Sequence, residues 1–427
     1  MKKGDLITIK IDKLVFGGQA IATMENGRKL FIWGGLPGET VEVEITKKKN
    51  SYAESIVVNV IEPSPDRIEP REEHYLSCSP WQILNIEKEN FWKVETSKEV
   101  YKKIGEFDLP DLEIYSNENE YQYRNKIEYS FWEENDELSF AFFRRGKKQR
   151  FQIKDCQLAS KEINETAHPI MEWLKTTGID PRTPKSLIVR SNSKGQTIAA
   201  LFVKDIFAFD SYPELTETFI GFHIYYSDHR CPASRPDKQL YSSGQDFLLE
   251  NVNGLDLKYG LLSFFQVNVP IFEESLKDIA KHIDPKKELV DFYSGSGSIS
   301  LPLHKNFTKG YLVDNNEEAI NYANDNIELN KIKNCEATHL EAEKITDLIT
   351  SDRTIILDPP RAGLHQKVTN RLLETKPETI IYLSCNLSTQ ARDVNLLLTD
   401  YEITFSKLYN YFPHTPHIEG LIVLKKK

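Results

Sequence analysis

Cysteine is scarce. The five in this 427-residue chain (Cys78, Cys156, Cys231, Cys335 and Cys385) are odd in number and widely spaced, which excludes a disulfide framework. The pattern suits reduced thiols in a reducing compartment, with room for at least one to act chemically. Long apolar runs are also missing. Nothing approaches the ~20 uninterrupted apolar residues of a membrane helix, and mean hydropathy is −0.47, so a soluble chain without a membrane partner is expected. The first residues carry Lys2, Lys3, Asp5, Lys10, Asp12 and Lys13 where a signal peptide needs an apolar stretch, which predicts a cytoplasmic protein. An excess of positive charge is absent as well: 54 Lys and Arg stand against 64 Asp and Glu, a net charge of −10. That excludes a general nucleic-acid coat but leaves a local basic strip open. No internal repeat or low-complexity tract is seen.

What is present is enough for about three domain-sized units at roughly 150 residues each. The first sixty residues alternate strand-like runs (Leu6 to Ile9, Leu30 to Trp33, Val41 to Ile45, Ile56 to Ile61) with glycine pairs (Gly17-Gly18, Gly34-Gly35), the pattern of a small β-barrel. Pro63, Pro65 and Pro70 then read as a linker, which predicts a unit over 1–64. A mixed α+β unit follows over 65–255. From about 256 the character changes. Strand-like runs at Leu289 to Tyr293, Gly310 to Asp314, Thr354 to Leu357 and Ile380 to Ser384 alternate with helical stretches, one beginning at Ile299 and one reaching about Asn330. This predicts a doubly wound parallel sheet with its ligand crevice at the carboxyl ends of the strands.

Three chemistry-bearing segments fall at those ends. Asp291-Phe292-Tyr293-Ser294-Gly295-Ser296-Gly297-Ser298 joins a strand to a helix, and Asp314 ends the next strand. Small residues there let backbone approach a ligand, and a carboxylate at the second strand's end accepts from ribose hydroxyls. The G-x-G-x-x-G fingerprint is lacking, so an adenosyl ligand without a pyrophosphate fits better than a dinucleotide; a plain connecting turn is the alternative. Cys385 closes an apolar run and precedes a helix start at Asn386, a placement that favours a reactive thiol, although strand-end cysteines are commonly packed hydrophobes. Asp358-Pro359-Pro360-Arg361 forms a rigid turn able to hold a flat base, and Glu419, ahead of the apolar Leu421 to Leu424, occupies a site where burial would raise a carboxyl pKa.

Together these residues resemble the RNA uracil-C5 methyltransferase family, over nearly the whole chain. The first unit resembles a TRAM module through Gly17-Gly18-Gln19-Ala20-Ile21-Ala22 and Leu36-Pro37-Gly38-Glu39. Phe264-Phe265-Gln266-Val267-Asn268, Asp291 to Gly297, Asp358 to Gly363, Ser384-Cys385-Asn386 and His417-Ile418-Glu419 follow in the family's order. The resemblance implies a Rossmann-like class I methyltransferase domain over 256–427, behind an OB-like TRAM barrel and the central unit, with part of 90–120 packing on the catalytic domain. It implies S-adenosylmethionine as methyl donor, Cys385 as the nucleophile that adds to uracil C6, and Glu419 as the base that removes the C5 proton. Gln266, Tyr293 and Asp314 match positions that hold cofactor and Asp358 one that contacts cofactor or uracil; Gly295 is assigned to the same site, and Glu341 stands where relatives often have an aspartate near the adenine. Activation through C6 is what the substrate demands, because C5 of neutral uracil is too weak a nucleophile to take a methyl group unaided.

For RNA contacts the sequence offers Lys47 to Lys49, Arg124-Asn125-Lys126, and Arg144 and Arg145 in the aromatic, basic run Phe142 to Arg150. Ribosomal 23S RNA is favoured by the TRAM-like barrel, with transfer RNA possible, and a monomer is expected. The chain also departs from its relatives. Many bind a [4Fe–4S] cluster through four cysteines; here Cys78 and Cys156 match two ligands and Glu72 stands near a third, which predicts no cluster, no metal, and packing by Trp81 instead. Ser294 and Asn410 stand where relatives carry Cys and Asp. Two further readings are a methyltransferase acting on a base amine, which needs no thiol, and an RNA-binding protein without catalysis.

Overall fold

A computed structural model describes residues 2–134, 137–147, 149–340 and 346–427. Six strands make the first sheet: β1 (Leu6–Lys10), β2 (Lys13–Leu14), β3 (Ala20–Thr23), β4 (Lys29–Trp33), β5 (Thr40–Lys48) and β6 (Tyr52–Glu62). In β5, Val41, Val43 and Ile45 point inward while the intervening residues are less buried, the period-two pattern of a sheet with one face on a core. Trp81 and Leu84, from the segment after the barrel, fill that core.

Helices α1 (Tyr75–Cys78) and α2 (Ile86–Ile104) follow, then the short β7 (Glu113–Tyr115). The second sheet has the order β10-β9-β8-β11-β12-β13-β14, built from β8 (Lys126–Glu134), β9 (Glu137–Phe143), β10 (Arg150–Ile153), β11 (Pro184–Ser191), β12 (Thr197–Val203), β13 (Phe219–Tyr226) and β14 (Lys238–Gly244), with α3 (Lys161–Thr176) on one face. Its other face is not a free surface: Ile188, Ile198, Ala200 and Phe202 share one core with Leu289, Leu312, Ile356 and Ile381 of the third sheet. The hairpin β15 (Phe247–Val252) and β16 (Leu255–Gly260) contributes to that core through Leu248 and Tyr259, so the boundary expected at 255 falls inside a hairpin.

The third sheet carries the crevice. Helix α4 (Val269–Ala280) leads into β17 (Leu289–Phe292), β18 (Gly310–Asp314), α5 (Glu317–Leu329), β19 (Cys335–His339), β20 (Thr354–Leu357), α6 (Gln366–Thr375), β21 (Thr379–Ser384), α7 (Leu387–Leu397), β22 (Tyr401–Tyr409) and β23 (Glu419–Lys426), in the spatial order β19-β18-β17-β20-β21-β23-β22-β7. Five strands are parallel, the four expected runs and β19, but the sheet is mixed. β23 inserts antiparallel between β21 and β22, and β7 joins the far edge parallel to β22. The reversal matters for function: an antiparallel β23 begins, at Glu419, where β21 ends. Among the described residues no helix is long and apolar enough to cross a membrane.

The helix expected from Ile299 does not form. Residues 298–303 make successive turns and a 3₁₀ segment at His304–Asn306. Leu301 N–H reaches Gly297 O at 3.0 Å, but Leu303 N–H turns to Ser300 O at 3.1 Å. Pro302 between them has no N–H to continue an i to i−4 ladder.

Candidate active site

β17 ends in a loop held against the next strand by one carboxylate. Gly295 N–H donates to Asp314 Oδ2 at 2.9 Å, and Asn316 N–H donates to Oδ1 of the same residue at 2.8 Å. Tyr293, Gly295 and Gly297 have φ of 65°, 56° and 82°. At Gly297 a Cβ would sit 2.6 Å from Leu301 Cδ1 and 2.9 Å from Leu312 Cδ2, so glycine lets the loop pack down on β18, whereas a Cβ at Gly295 would meet nothing within 4 Å. Tyr293 at the head of the loop and Asp314 border a cavity of about 290 Å³ that Asn315, Pro360, Ala362 and Leu364 also line. Beneath the loop, Asp291 is wholly buried, takes the Ser300 hydroxyl on Oδ2, and has its carboxyl pushed up to about 7, by burial first and by Asp314 next. Asp291 Oδ1 and Ser294 Oγ are buried without hydrogen-bond partners among the described residues. A carboxylate lining the cavity, an uncrowded Gly295 and orphaned polar atoms beneath the loop suit a polar nucleoside ligand.

Opposite the cavity, β21 is buried along its full length and stops at Ser384, where Asn386 caps α7 by accepting from Ser388 N–H at 3.2 Å. Ser384 pairs with Gly420 in antiparallel register. Glu419 and Cys385 are therefore the next residues on each strand and face each other. Gly420 is required at this crossing, since a Cβ would lie 2.5 Å from Leu387 Cδ2 and 2.8 Å from Tyr101 Oη. Gln390 Nε2 donates to both Tyr382 O and Gly420 O, at 2.9 and 2.8 Å, and its Oε1 accepts from Tyr101 Oη at 2.7 Å, so α2 and α7 together clamp the two strand ends.

The Asp-Pro-Pro-Arg turn is the third wall. Asn386 Nδ2 donates to Arg361 O at 2.8 Å and Leu364 N–H to Asp393 Oδ2 at 2.8 Å, fixing the turn on the start of α7. The Arg361 side chain lies near enough to the Cys385 sulfur to work against the rise in its pKa. Arg361 stood in the quoted motif without a role; only the fold shows it facing the thiol. Electrostatics here are dominated by exclusion of water. Burial pushes the Cys385 thiol up to about 11, with Glu419 and Asp358 adding to the shift and Arg361 opposing it. Burial likewise holds Glu419 well above the usual carboxyl range, with Asp358 adding and Arg361 opposing. Asp358 is raised to about 7 by burial, then by Asp291 and Asp314.

The segment before β23 is held by buried charge. Lys93 Nζ lies 2.8 Å from Glu89 Oε1 and donates to Asn410 Oδ1 at 2.6 Å and Phe412 O at 3.1 Å. Glu89 in turn accepts from Asn410 Nδ2 at 3.1 Å and His414 N–H at 2.8 Å. Asn410, with one donor and one acceptor, serves both members of the ion pair. Glu89 and Lys93 stand four residues apart on α2, but Asn410, Phe412 and His414 lie more than 300 residues further on, so the network as a whole is not legible in the sequence.

The remaining expected residues fall in different settings. Gln266 is buried, and its backbone carbonyl accepts from Asn125 Nδ2 at 2.9 Å, so the Arg-Asn-Lys segment joins the central sheet to the third-sheet unit. Lys126 is partly buried, its ammonium pKa lowered to about 8 by burial and by Arg190. Arg124 is also partly buried. Arg144 is exposed and stacks 4.7 Å from the Phe151 ring. Arg145 is turned inward: its Nε donates to Leu76 O and its guanidinium lies 3.9 Å over Trp33, joining the barrel to the central unit. Glu341 and Lys148 lie outside the described residues.

Such a sheet, with a glycine loop and acidic strand end on one side of its crevice and a thiol on the other, belongs to a class I methyltransferase carrying a small N-terminal barrel. Residues 90–182 and 233–427 match the family described as tRNA (uracil-5-)-methyltransferase, and residues 1–58 match the TRAM domain. The chain belongs to this family: it is an S-adenosylmethionine-dependent RNA (uracil-5-)-methyltransferase with an N-terminal TRAM domain. Among its relatives, an uncharacterized RNA methyltransferase of Bacteroides thetaiotaomicron is 30% identical, covering 96% of this chain and 99% of its own. Another, from Fusobacterium nucleatum, is 29% identical, covering 100% of this chain and 97% of its own. The solved Pyrococcus abyssi tRNA (uracil-54, C5)-methyltransferase, in complex with S-adenosyl-L-homocysteine, has the same fold, with a TM-score of 0.78 at 24% identity over 98% of this chain and 100% of its own.

Proposed function

We propose that the enzyme methylates C5 of a uridine in RNA through a transient bond between Cys385 and C6. The supporting observation is the strand register that sets Cys385 beside Glu419. Cys385 gives up its proton to solvent and the thiolate sulfur bonds to C6, moving the C5–C6 electron pair toward the O4 carbonyl and making C5 nucleophilic enough to take a methyl group. Arg361 favours the thiolate. S-adenosylmethionine would supply the electrophilic methyl group on its sulfonium centre and leave as the neutral thioether S-adenosylhomocysteine. Glu419 takes the C5 proton, the C5–C6 double bond re-forms, and the thiolate leaves; a carboxyl raised by burial is a stronger base than an exposed one. Tyr293, Gly295 and Asp314 would hold the adenosyl group, with Gln266 and Asp358 toward the reacting atoms and Glu341 near the adenine.

The base must leave its stack to reach a thiol at the bottom of a crevice, at a cost of a few kcal/mol in a duplex and less in a loop. We assign the RNA path to the TRAM barrel (1–64), the central unit (65–255) and the mouth of the methyltransferase unit (256–427), with exposed Arg144 and the half-buried Arg124 and Lys126 as contacts. Arg145 is assigned to the barrel joint instead. Ribosomal 23S RNA is the preferred substrate, supported by the TRAM domain, for a monomer acting in the cytoplasm. Transfer RNA is the second reading, favoured by the full-length fold likeness to an enzyme whose target is tRNA. Mass-spectrometric mapping of 5-methyluridine in rRNA and tRNA from cells with and without the gene decides between them.

A further inference from the structure

A cluster of donors lies away from the crevice, where the linker after the barrel meets the central unit. The donor atoms of Glu72, His74 and Cys78 lie within 4.8 Å of one another, and the Cys156 sulfur faces both Cys78 and the His74 ring. His74 Nε2 is buried 3.1 Å from Glu72 Oε1, so the ring nitrogen and the carboxylate converge as an ion pair on the same point as the Cys78 sulfur.

The set does not suit a [4Fe–4S] cluster, which takes about four thiolates. Only two thiols converge here. Trp81, nearby in the chain, is committed elsewhere: it is buried in the barrel core and donates Nε1–H to Gly18 O at 3.1 Å. We infer that Glu72, His74, Cys78 and Cys156 form a structural site for one zinc ion.

Two thiolates, an imidazole and a carboxylate are a recurring tetrahedral zinc set, whose ligand atoms stand about 3.3 to 3.8 Å apart by zinc–donor distances of roughly 2.0 to 2.3 Å. The Glu72, His74 and Cys78 donors, within 4.8 Å of one another, would draw in by up to about 1 Å around the ion, with Cys156 closing as the fourth ligand. Glu72 is oriented by Gln157 N–H on Oε1 at 2.6 Å and by Gln82 Nε2 on Oε2 at 2.7 Å, each oxygen keeping a lone pair. Phe142 and Phe151 border the imidazole at 5.5 and 6.2 Å between ring centres, shielding the site from water. Zinc with two thiolates and one carboxylate carries one net negative charge, and the inward-turned Arg145 supplies a positive charge near Cys78. The ion would tie the linker to the loop of Cys156, which Asn164 holds through the Cys156 N–H and carbonyl, each at 3.2 Å.

Metal analysis of the purified full-length enzyme tests this. About one zinc per chain, without iron or acid-labile sulfide, is expected, and zinc-edge X-ray absorption should show two sulfur ligands near 2.3 Å with two nitrogen or oxygen ligands near 2.0 Å. Cys156→Ser and His74→Ala should each drop zinc below about 0.2 per chain, while Cys231→Ser keeps it. Should the ligand variants fail to fold, cobalt(II) loaded into the wild-type apo-chain should give cobalt–thiolate absorption. Less than about 0.1 zinc in the wild type with no cobalt–thiolate band overturns the inference, as do iron with sulfide at cluster stoichiometry, or zinc bound without sulfur.

Discussion

Cys385 and Glu419 face each other across the β21–β23 crossing, one step beyond the Ser384–Gly420 pair. Strand direction alone produces this: one residue leaves its strand where the other enters its own. The two are coupled as well as adjacent, because Glu419 is among the groups that raise the thiol pKa. A proton or negative charge on either changes the other.

Replacing Cys385 by Ala removes the atom that activates C5. Turnover should fall on the order of 10⁴-fold or more, while S-adenosylmethionine binding measured by calorimetry stays within about threefold of wild type. Glu419→Gln should behave differently. Addition and methyl transfer remain open to it but proton removal does not, so methylated RNA should stay bound to the protein as a slow-moving band in a denaturing gel.

Arg361 is the cation that faces the sulfur. Its loss in Arg361→Met raises the thiol pKa further above about 11, so less thiolate exists at any working pH. Alkylation of Cys385 by iodoacetamide should rise about tenfold per pH unit below that value in wild type and be slower at each pH in the variant, with the profile displaced upward. An unshifted profile would remove Arg361 from this role.

Asp314 both closes the glycine loop and offers a carboxylate to the cavity. Asp314→Ala should weaken cofactor affinity about 10- to 100-fold, the value of losing one or two hydrogen bonds to a charged group, with little effect on RNA affinity in a filter-binding assay.

Much of this arrangement is legible in the sequence because it rests on local patterns. Apolar runs locate β17, β18, β20 and β21, and Asp314 and Cys385 sit at strand ends as their runs imply. What escapes depends on distant partners. The helix expected after the glycine loop is undone by Pro302. The antiparallel entry of β23 cannot be read from its own residues, since an apolar run carries no direction. Arg145 reads as a contact for RNA, yet Trp33 and the Leu76 carbonyl bind it from two other segments.

Stability should reveal the buried ion pair too. Lys93→Ala strands a buried carboxylate at Glu89 and should cost about 3–5 kcal/mol by urea denaturation. Combining it with Glu89→Gln should cost clearly less than the sum of the two single changes, because each alone leaves a partner unpaired.

The most direct test uses RNA carrying 5-fluorouridine at the target position. Fluorine cannot leave C5 as a proton does, so with S-adenosylmethionine present the wild-type enzyme should become irreversibly joined to the RNA, with peptide mass spectrometry placing the bond at Cys385. An enzyme that methylates ordinary RNA but forms no such adduct, or forms it at another residue, contradicts the account.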